Sequence, residues 1–328
     1  MINFDYVKVL SSKSAIDALN KDATSMFIAG GTNLVDLMKR GVEAPEKLID
    51  ITNLPLKNIE EDNGVIRIGA LALNSVVAED KLIMEKLPLL SLALNAGASP
   101  QLRNMATTGG NMLQRTRCPY FYDTTMPCNK RQPGTGCGAL QGYNRMHAIF
   151  GASVSCIAVH PSDMCVALAA LDATVIVNSN KGERKIRFTD FHRLPGNTPE
   201  KDNNLQKGEL ITAVEIPVND GLAKNSLYIK VRDRASYAFA LVSVAAALDM
   251  VGNTIKEARL AMGGVAHKPW RLTSVENFLK GKTASEANFK QAATIAMKDA
   301  KGYGKNNFKL KMAPNTIIQT LRTVSGLS

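Results

Sequence analysis

The sequence predicts an α+β protein of two domains, divided at about residue 221. Three observations carry this. Short apolar runs of strand length alternate with segments of helical period. The 328 residues exceed what a single core usually holds, and 45% of them are hydrophobic, enough to fill two. Asn219-Asp220-Gly221 is turn chemistry, and beyond it the pattern changes.

The elements follow in order. Ser25 to Ala29 is an apolar strand, Gly30-Gly31 a turn, and Thr32 to Arg40 a helix with Leu34, Leu37 and Met38 at helical spacing. Gly41 closes that helix. Val65 to Leu71 reads as a strand. Pro88 to Ala96 is an apolar helix opened by its proline and ended by Gly97. A second glycine doublet lies in Thr107-Thr108-Gly109-Gly110-Asn111. Cys118 to Tyr143 holds three prolines and four glycines and reads as irregular, and a loop of that length needs something else to order it. Regular structure is expected again over Ser153 to Val159 and Val166 to Val177. Lys185 to Phe188 and Glu209 to Pro217 read as further strands. In the second domain Ser226 to Val231, the later half of Ala238 to Val251, and Thr254 to Met262 read as strands. Ala284 to Ala300 is an amphipathic helix with Phe289, Ala292, Ile295 and Ala296 on one face, and Pro314 to Val324 a terminal one.

Each glycine doublet, taken alone, is an ordinary tight turn. As a pair they suggest two places where backbone can approach a phosphate closely. Neither is the Gly-x-Gly-x-x-Gly fingerprint, so a Rossmann nicotinamide site is not supported.

Composition excludes other classes. There are 40 Lys and Arg against 29 Asp and Glu, a net charge of +11. The basic residues are scattered and aromatics are 5%, so the basic–aromatic interleaving of a nucleic-acid binder is missing. The charge suits an anionic cofactor, an acidic electron-transfer partner or a solvated basic surface. No stretch approaches the about 20 apolar residues of a membrane helix. Met1-Ile2-Asn3-Phe4-Asp5 lacks the basic and apolar regions of a signal peptide, so none of its own is expected.

The five cysteines are Cys118, Cys128, Cys137, Cys156 and Cys165. No Cys-x-x-Cys pair exists, so neither a zinc ribbon nor a bacterial ferredoxin run fits. Clustered thiols in a chain of this size favour metal ligation over a disulfide framework. An iron–sulfur cluster, zinc, and free or paired thiols all remain open on spacing alone. Cys165 reads as a buried small residue, in reserve as a fourth ligand should Cys156 be the buried one.

Two motifs carry a resemblance that covers nearly the whole chain. Ala29-Gly30-Gly31-Thr32-Asn33-Leu34 and Thr107-Thr108-Gly109-Gly110-Asn111 resemble the two FAD-pyrophosphate loops of the molybdenum hydroxylase flavin subunits. The implied fold is a two-part FAD-binding domain of the vanillyl-alcohol-oxidase type over residues 1–221, with a CO dehydrogenase flavoprotein C-terminal-like α+β domain over 222–328. The implied FAD contacts are Phe27, Ile28, Ala29, Gly30, Gly31, Thr32, Asn33 and Leu34 from the first loop. The second loop gives Thr107, Thr108, Gly110 and Asn111, with backbone N–H groups of both loops on the pyrophosphate. Ser162-Asp163 resembles the family's Ser-Asp, which implies Asp163 beside the flavin. Tyr228-Ile229-Lys230 implies Lys230 reaching the cofactor, and Ile211 falls where an aliphatic side chain packs on the ring.

One departure is informative. Asn111 and Asp163 are 52 positions apart where most of the family has a short connection. The insertion, about 113–156, holds Cys118, Cys128 and Cys137, with Cys156 at its return. A few members, such as the 4-hydroxybenzoyl-CoA reductase flavin subunit, carry an inserted [4Fe–4S] loop here. Cys156-Ile157-Ala158-Val159-His160-Pro161-Ser162-Asp163 resembles in particular the flavin subunit of bacterial periplasmic aldehyde oxidoreductases. The resemblance therefore implies FAD, one [4Fe–4S] cluster on Cys118, Cys128, Cys137 and Cys156, and no catalytic side chain in this chain. It implies a heterotrimer with a molybdenum-cofactor subunit that oxidises aldehydes and a [2Fe–2S] subunit, and an external acceptor such as an acidic ferredoxin-like protein. It also implies a periplasmic location reached through a partner's signal, with the cytoplasm as the alternative. Other molybdenum hydroxylases, of xanthine or hydroxybenzoyl-CoA type, and a free-standing flavin oxidase are the competing readings. A single Trp and the lack of an evident substrate cap speak against the last.

Overall fold

The computed structural model describes residues 1–327 as three sheets with helices between and around them. The first sheet is small and parallel: β1 (Asp5–Lys8), β2 (Ser25–Ile28) and β3 (Lys47–Asp50) in the order β1-β3-β2. The helix Ser12–Lys21 joins β1 to β2, opened by a reciprocal capping box between Ser11 and Ser14. The second sheet is antiparallel: β4 (Ile59–Asp62), β5 (Val65–Gly69), β6 (Thr174–Ser179), β7 (Gly182–Arg187) and β8 (Leu210–Pro217), ordered β4-β5-β8-β6-β7. Ile66 and Ile68 alternate with half-buried Val65 and Arg67, so one face of β5 enters the core.

The third sheet is β9 (Ser226–Val231), β10 (Val242–Val251), β11 (Thr254–Gly263) and β12 (Trp270–Arg271), ordered β12-β11-β10-β9. Strand periodicity divides β10 between two cores. Val242, Val244, Ala246 and Leu248 face the helices Thr273–Leu279, Glu286–Ala296 and Lys309–Val324. Ser243, Ala245 and Ala247 lie on the other face, and the two alanines share a core with the helices Pro88–Ala96 and Asp163–Ala170. That face is built from small residues because the helices come close. A Cβ on Gly263 would stand 2.6 Å from Val166 Cγ2.

Several expectations shift. The helix expected over Ala284 to Ala300 occupies Glu286–Ala296, with Phe289, Ala292, Ala293 and Ala296 buried and Ile295 only partly so. The terminal helix begins at Lys309, five residues before Pro314, which sits inside it. The buried Lys309 amine holds that first turn, donating to the carbonyls of Gly264 at 2.7 Å and His147 at 3.0 Å. Ser153 to Val159 is not a strand. The N–H groups of Ile157 and Ala158 are directed at the Cys137 and Cys156 sulfurs, which removes them from any ladder. The turn at Asn219-Asp220-Gly221 opens the short helix Asp220–Lys224, with Asn219 capping the Gly221 and Leu222 N–H groups.

Phe289 is fully buried in the second domain's core. Phe289→Ala is expected to cost about 3–5 kcal/mol of unfolding free energy. Val251→Ala, at a side chain 65% exposed, should stay within about 0.5 kcal/mol. Urea unfolding of the two variants checks the contrast.

Candidate functional site

The first glycine loop leaves β2 at Ile28, which still accepts the Ile51 N–H at 3.1 Å. Gly31 has φ +68°, a left-handed conformation that glycine adopts without strain. A Cβ on Gly30 would lie 1.8 Å from the Met105 carbonyl oxygen. The first loop is thus pressed against the segment that leads into the second. Phe27 packs on the small core beneath it, while Ala29 and Leu34 are half-buried and Thr32 exposed. Asn33 begins the helix Leu34–Lys39, and its side-chain carbonyl accepts the Arg115 N–H at 2.8 Å. Among the described residues the N–H groups of Gly30, Gly31, Thr32 and Asn33 find no acceptor. Four consecutive free donors are the kind of backbone surface that can receive an anion.

The second loop differs from expectation. Thr107 caps the helix Thr108–Met112 and accepts the Gly110 N–H on Oγ1 at 3.2 Å. The Thr108 N–H donates to Ala72 at 2.9 Å and the Gly109 N–H to Ala70 at 2.8 Å. These amides are spent docking the loop on the end of β5. The free donors therefore lie mainly in the first loop, and the second offers an open surface at Gly110. Gly110 is exposed, and a Cβ there would meet only Thr107 Oγ1. Asn111 Oδ1 accepts from Ser162 Oγ at 2.5 Å, tying this loop to the start of Asp163–Ala170.

Asp163 is buried where both domains meet. Its carboxylate takes the Lys230 ammonium at 2.8 Å and the Tyr228 hydroxyl at 2.7 Å. Lys230 also donates to the Ala96 carbonyl at 3.0 Å, and Ser243 Oγ lies 2.9 Å from the Tyr228 oxygen. Burial, and then the neighbouring Asp163 charge, push the Tyr228 phenol well up, so it stays protonated. Asp163 and Ser243 line a cleft with Arg117, His160, Phe239 and Gly264, and Lys230 and Tyr228 stand behind them. Ile211 does not line it. That side chain is packed in the core on β8, opposite Val177, which corrects the expected ring contact. Arg117 and Phe239 were not singled out in sequence, because nothing in their local pattern places them at a domain junction, and His160 stood out only within the motif that runs to Asp163.

The insertion folds around a second pocket, lined by all four of Cys118, Cys128, Cys137 and Cys156. Cys128 and Cys137 face each other across an isolated antiparallel bridge. Arg131 staples the loop by donating to the carbonyls of Tyr120, Phe121, Thr124 and Met126. Buried Lys130 pairs with Asp202 and donates to the Pro199 carbonyl at 2.7 Å, and Arg115 pairs with Asp202 and Glu43. Although burial alone would raise it, those cations hold the Asp202 carboxyl down at about 2.

The pocket's polar groups suit thiolates. The backbone N–H group of Tyr120 points at Cys118, those of Ala139 and Ile157 at Cys137, and that of Ala158 at Cys156, while the N–H groups of Phe121 and Leu140 donate to the carbonyls of Cys118 and Cys137. Cys137 is lowered to about 6, chiefly by its hydrogen bond with Cys156, whose own thiol is pushed up by the same contact. Burial pushes Cys118 up to about 12, with His147 Nε2 at 3.1 Å from its sulfur. All five cysteines are unpaired. Among the described residues no three of these thiols come within 4.8 Å of one another, wider than one tetrahedral zinc ion holds its donors. The fifth cysteine, Cys165, lies outside this pocket in Asp163–Ala170. Cys118 and Thr116 line both the pocket and the domain cleft, so the two share a wall.

Comparison with known proteins bears on this arrangement. Residues 2–219 match the model of the FAD binding domain in molybdopterin dehydrogenase, and residues 227–324 that of the CO dehydrogenase flavoprotein C-terminal domain. The chain is 48% identical to the aldehyde oxidoreductase FAD-binding subunit PaoB of Escherichia coli, over 97% of both chains. It is 32% identical to the glyceraldehyde dehydrogenase medium chain of Sulfolobus acidocaldarius, over 89% of this chain and 86% of that one. Among solved structures it superposes on quinoline 2-oxidoreductase from Pseudomonas putida 86 with a TM-score of 0.76 at 25% identity, covering 99% of this chain and 98% of that one. Carbon monoxide dehydrogenase from Hydrogenophaga pseudoflava shares the fold, with a TM-score of 0.78 at 22% identity over 100% and 99% of the two chains.

The Lys309 amine behind the cleft wall is lowered to about 7, by burial and then by Arg145. It has two carbonyl partners and no carboxylate. The folded chain sheds this proton near pH 7, whereas the unfolded chain keeps it to about 10.4. Unfolding therefore takes up a proton in that window, and stability rises with pH. Lys309→Met removes the effect, so the unfolding free energy of wild type minus that of the variant should rise from pH 7 to pH 10. Urea titrations across that range check it.

Proposed function

Because this chain belongs to the FAD-binding subunits of the molybdopterin dehydrogenases, we propose that it is the flavin-bearing electron-transfer subunit of a molybdenum-containing aldehyde oxidoreductase. The observation that carries the reading is the first glycine loop, with four free N–H donors, braced against an open second loop. The full-length match to an aldehyde oxidoreductase FAD-binding subunit supports the substrate class.

FAD, when bound, supplies the chemistry of accepting electrons and releasing them to an external acceptor. The chain binds and orients. Gly30, Gly31, Thr32 and Asn33 donate to the pyrophosphate, and the bare face of Gly110 lets it approach. Asp163 and Lys230, locked by Tyr228, present a fixed dipole to the cleft without reorganising. Arg117 stacks over the Phe239 ring, 5.3 Å from its centroid, at the rim of the cleft. No side chain here is a nucleophile or general base.

Cys118, Cys128, Cys137 and Cys156 are read as the ligands of one [4Fe–4S] cluster. Their common pocket and its N–H donors support that reading, as does the fact that no three of the thiols crowd to single-ion distance among the described residues. Such a group supplies one-electron transfer, and the wall shared with the cleft favours a place near the flavin. The aldehyde is oxidised on a molybdenum subunit, with a [2Fe–2S] subunit between the two in a heterotrimer. The complex is periplasmic, carried by a partner's signal. The +11 charge suits an acidic acceptor.

FAD should be non-covalent, so acid precipitation should leave it in the supernatant. Gly30→Ala, which drives a methyl into the Met105 carbonyl, and Gly110→Val, which covers the open surface, should each reduce flavin per chain by at least about tenfold. Full flavin in both variants would reject the loop assignment.

Serine at Cys118, Cys128, Cys137 or Cys156 should lower iron per chain, and Cys165→Ser should not. The purified lone chain should pass electrons from a reductant to a dye acceptor yet oxidise no aldehyde. Aldehyde turnover by the lone chain would overturn the assignment.

A further inference from the structure

Three side chains from three separate segments meet behind the cleft wall. They are His160, where the insertion returns, Cys165, in the helix Asp163–Ala170, and His192, just after the helix Phe188–Phe191. One ligand atom from each lies within 4.8 Å of the other two. The two imidazole rings are 4.2 Å apart. Cys165 is 0% exposed and His192 is 3% exposed. None of the three belongs to the four-thiol pocket.

The polar atoms in this place are left unused. His192 donates its Nε2–H to the Met112 carbonyl at 2.8 Å. That fixes the tautomer and leaves Nδ1 as a bare lone pair, which is buried and has no partner. His160 Nε2 is likewise buried without a partner. Its Nδ1 has only a long contact from the Ser162 N–H, at 3.4 Å. A buried polar atom without a partner is costly unless something occupies the site. An imidazole that donates its far N–H to a backbone carbonyl is held as metal-ligating histidines are held.

We propose that His160, Cys165 and His192 form a mononuclear site for a zinc-class ion, separate from the insertion's thiols. Two neutral imidazoles and one thiolate are a zinc-type donor set, and three protein ligands leave one position open. Closing donors onto an ion at about 2.0–2.3 Å asks each to move inward by roughly 1 Å or less. On binding, two Zn–N bonds and one Zn–S bond form, the Cys165 S–H bond breaks, and its proton leaves to solvent through the cleft that His160 lines. No electron is exchanged. The ion would pin the insertion's return, the helix carrying Asp163, and the loop after Phe191 to one point.

The test equilibrates the full chain, purified with its flavin and iron, with zinc chloride and then desalts it. Zinc and iron are counted by elemental analysis, and the zinc shell is read by X-ray absorption. Wild type should keep one more zinc per chain than Cys165→Ser or His192→Gln, in a shell of one sulfur and two nitrogens. His192→Gln retains an N–H donor for Met112, so it decides the matter if Cys165→Ser does not fold. Equal zinc in wild type and His192→Gln, or a shell of sulfur alone, overturns the proposal.

Discussion

Asp163 is buried, and two side chains of β9 converge on its carboxylate. Lys230 and Tyr228 reach it from one pleat apart, and Lys230 is held in turn by the Ala96 carbonyl at the end of Pro88–Ala96. Removing one partner of a buried pair leaves the other uncompensated, which is far more costly than the pair is worth. The arrangement therefore fixes the junction more than it stabilises the fold. Ser162, the residue before, reaches to Asn111, so the same point also holds the second glycine loop. Loop, helix and C-terminal sheet keep their places relative to one buried carboxylate.

The two glycine loops divide the work of holding an anion. The second is locked down by its own hydrogen bonds to the end of β5, and the first leans on it with its donors unspent. A floor that cannot move lets the donors sit ready, and donors already in place need no reordering when the ligand arrives.

The sequence was legible where chemistry is carried by residue identity at fixed spacing. The glycine doublets, the four inserted cysteines, and the Asp163 and Lys230 positions are of that kind. It was not legible where function depends on long-range pairing. Arg115 meets Asp202 and Glu43, and Lys130 meets Asp202, across 72 to 87 positions. No local pattern announces those contacts. Ile211 was given as a ring contact by the resemblance, and the β6–β8 pairing places it in the core opposite Val177. The amides of Thr108 and Gly109 looked free because the carbonyls they meet belong to Ala70 and Ala72. Pro314 suggested a helix start, yet tertiary anchoring of Lys309 overrode it.

The alanine face of β10 has a mechanical meaning. Where two domains meet through long side chains, rotamers can rearrange and the bodies can rock. Part of the meeting surface here is Ala245, Ala247, Ala261 and Gly263 against the alanine-rich helix Asp163–Ala170. Methyl groups have no rotamers to exchange, and packed interiors switch between discrete arrangements or do not switch at all. Along that patch the spacing of sheet and helix is gauged by methyl groups, as a shim sets a gap.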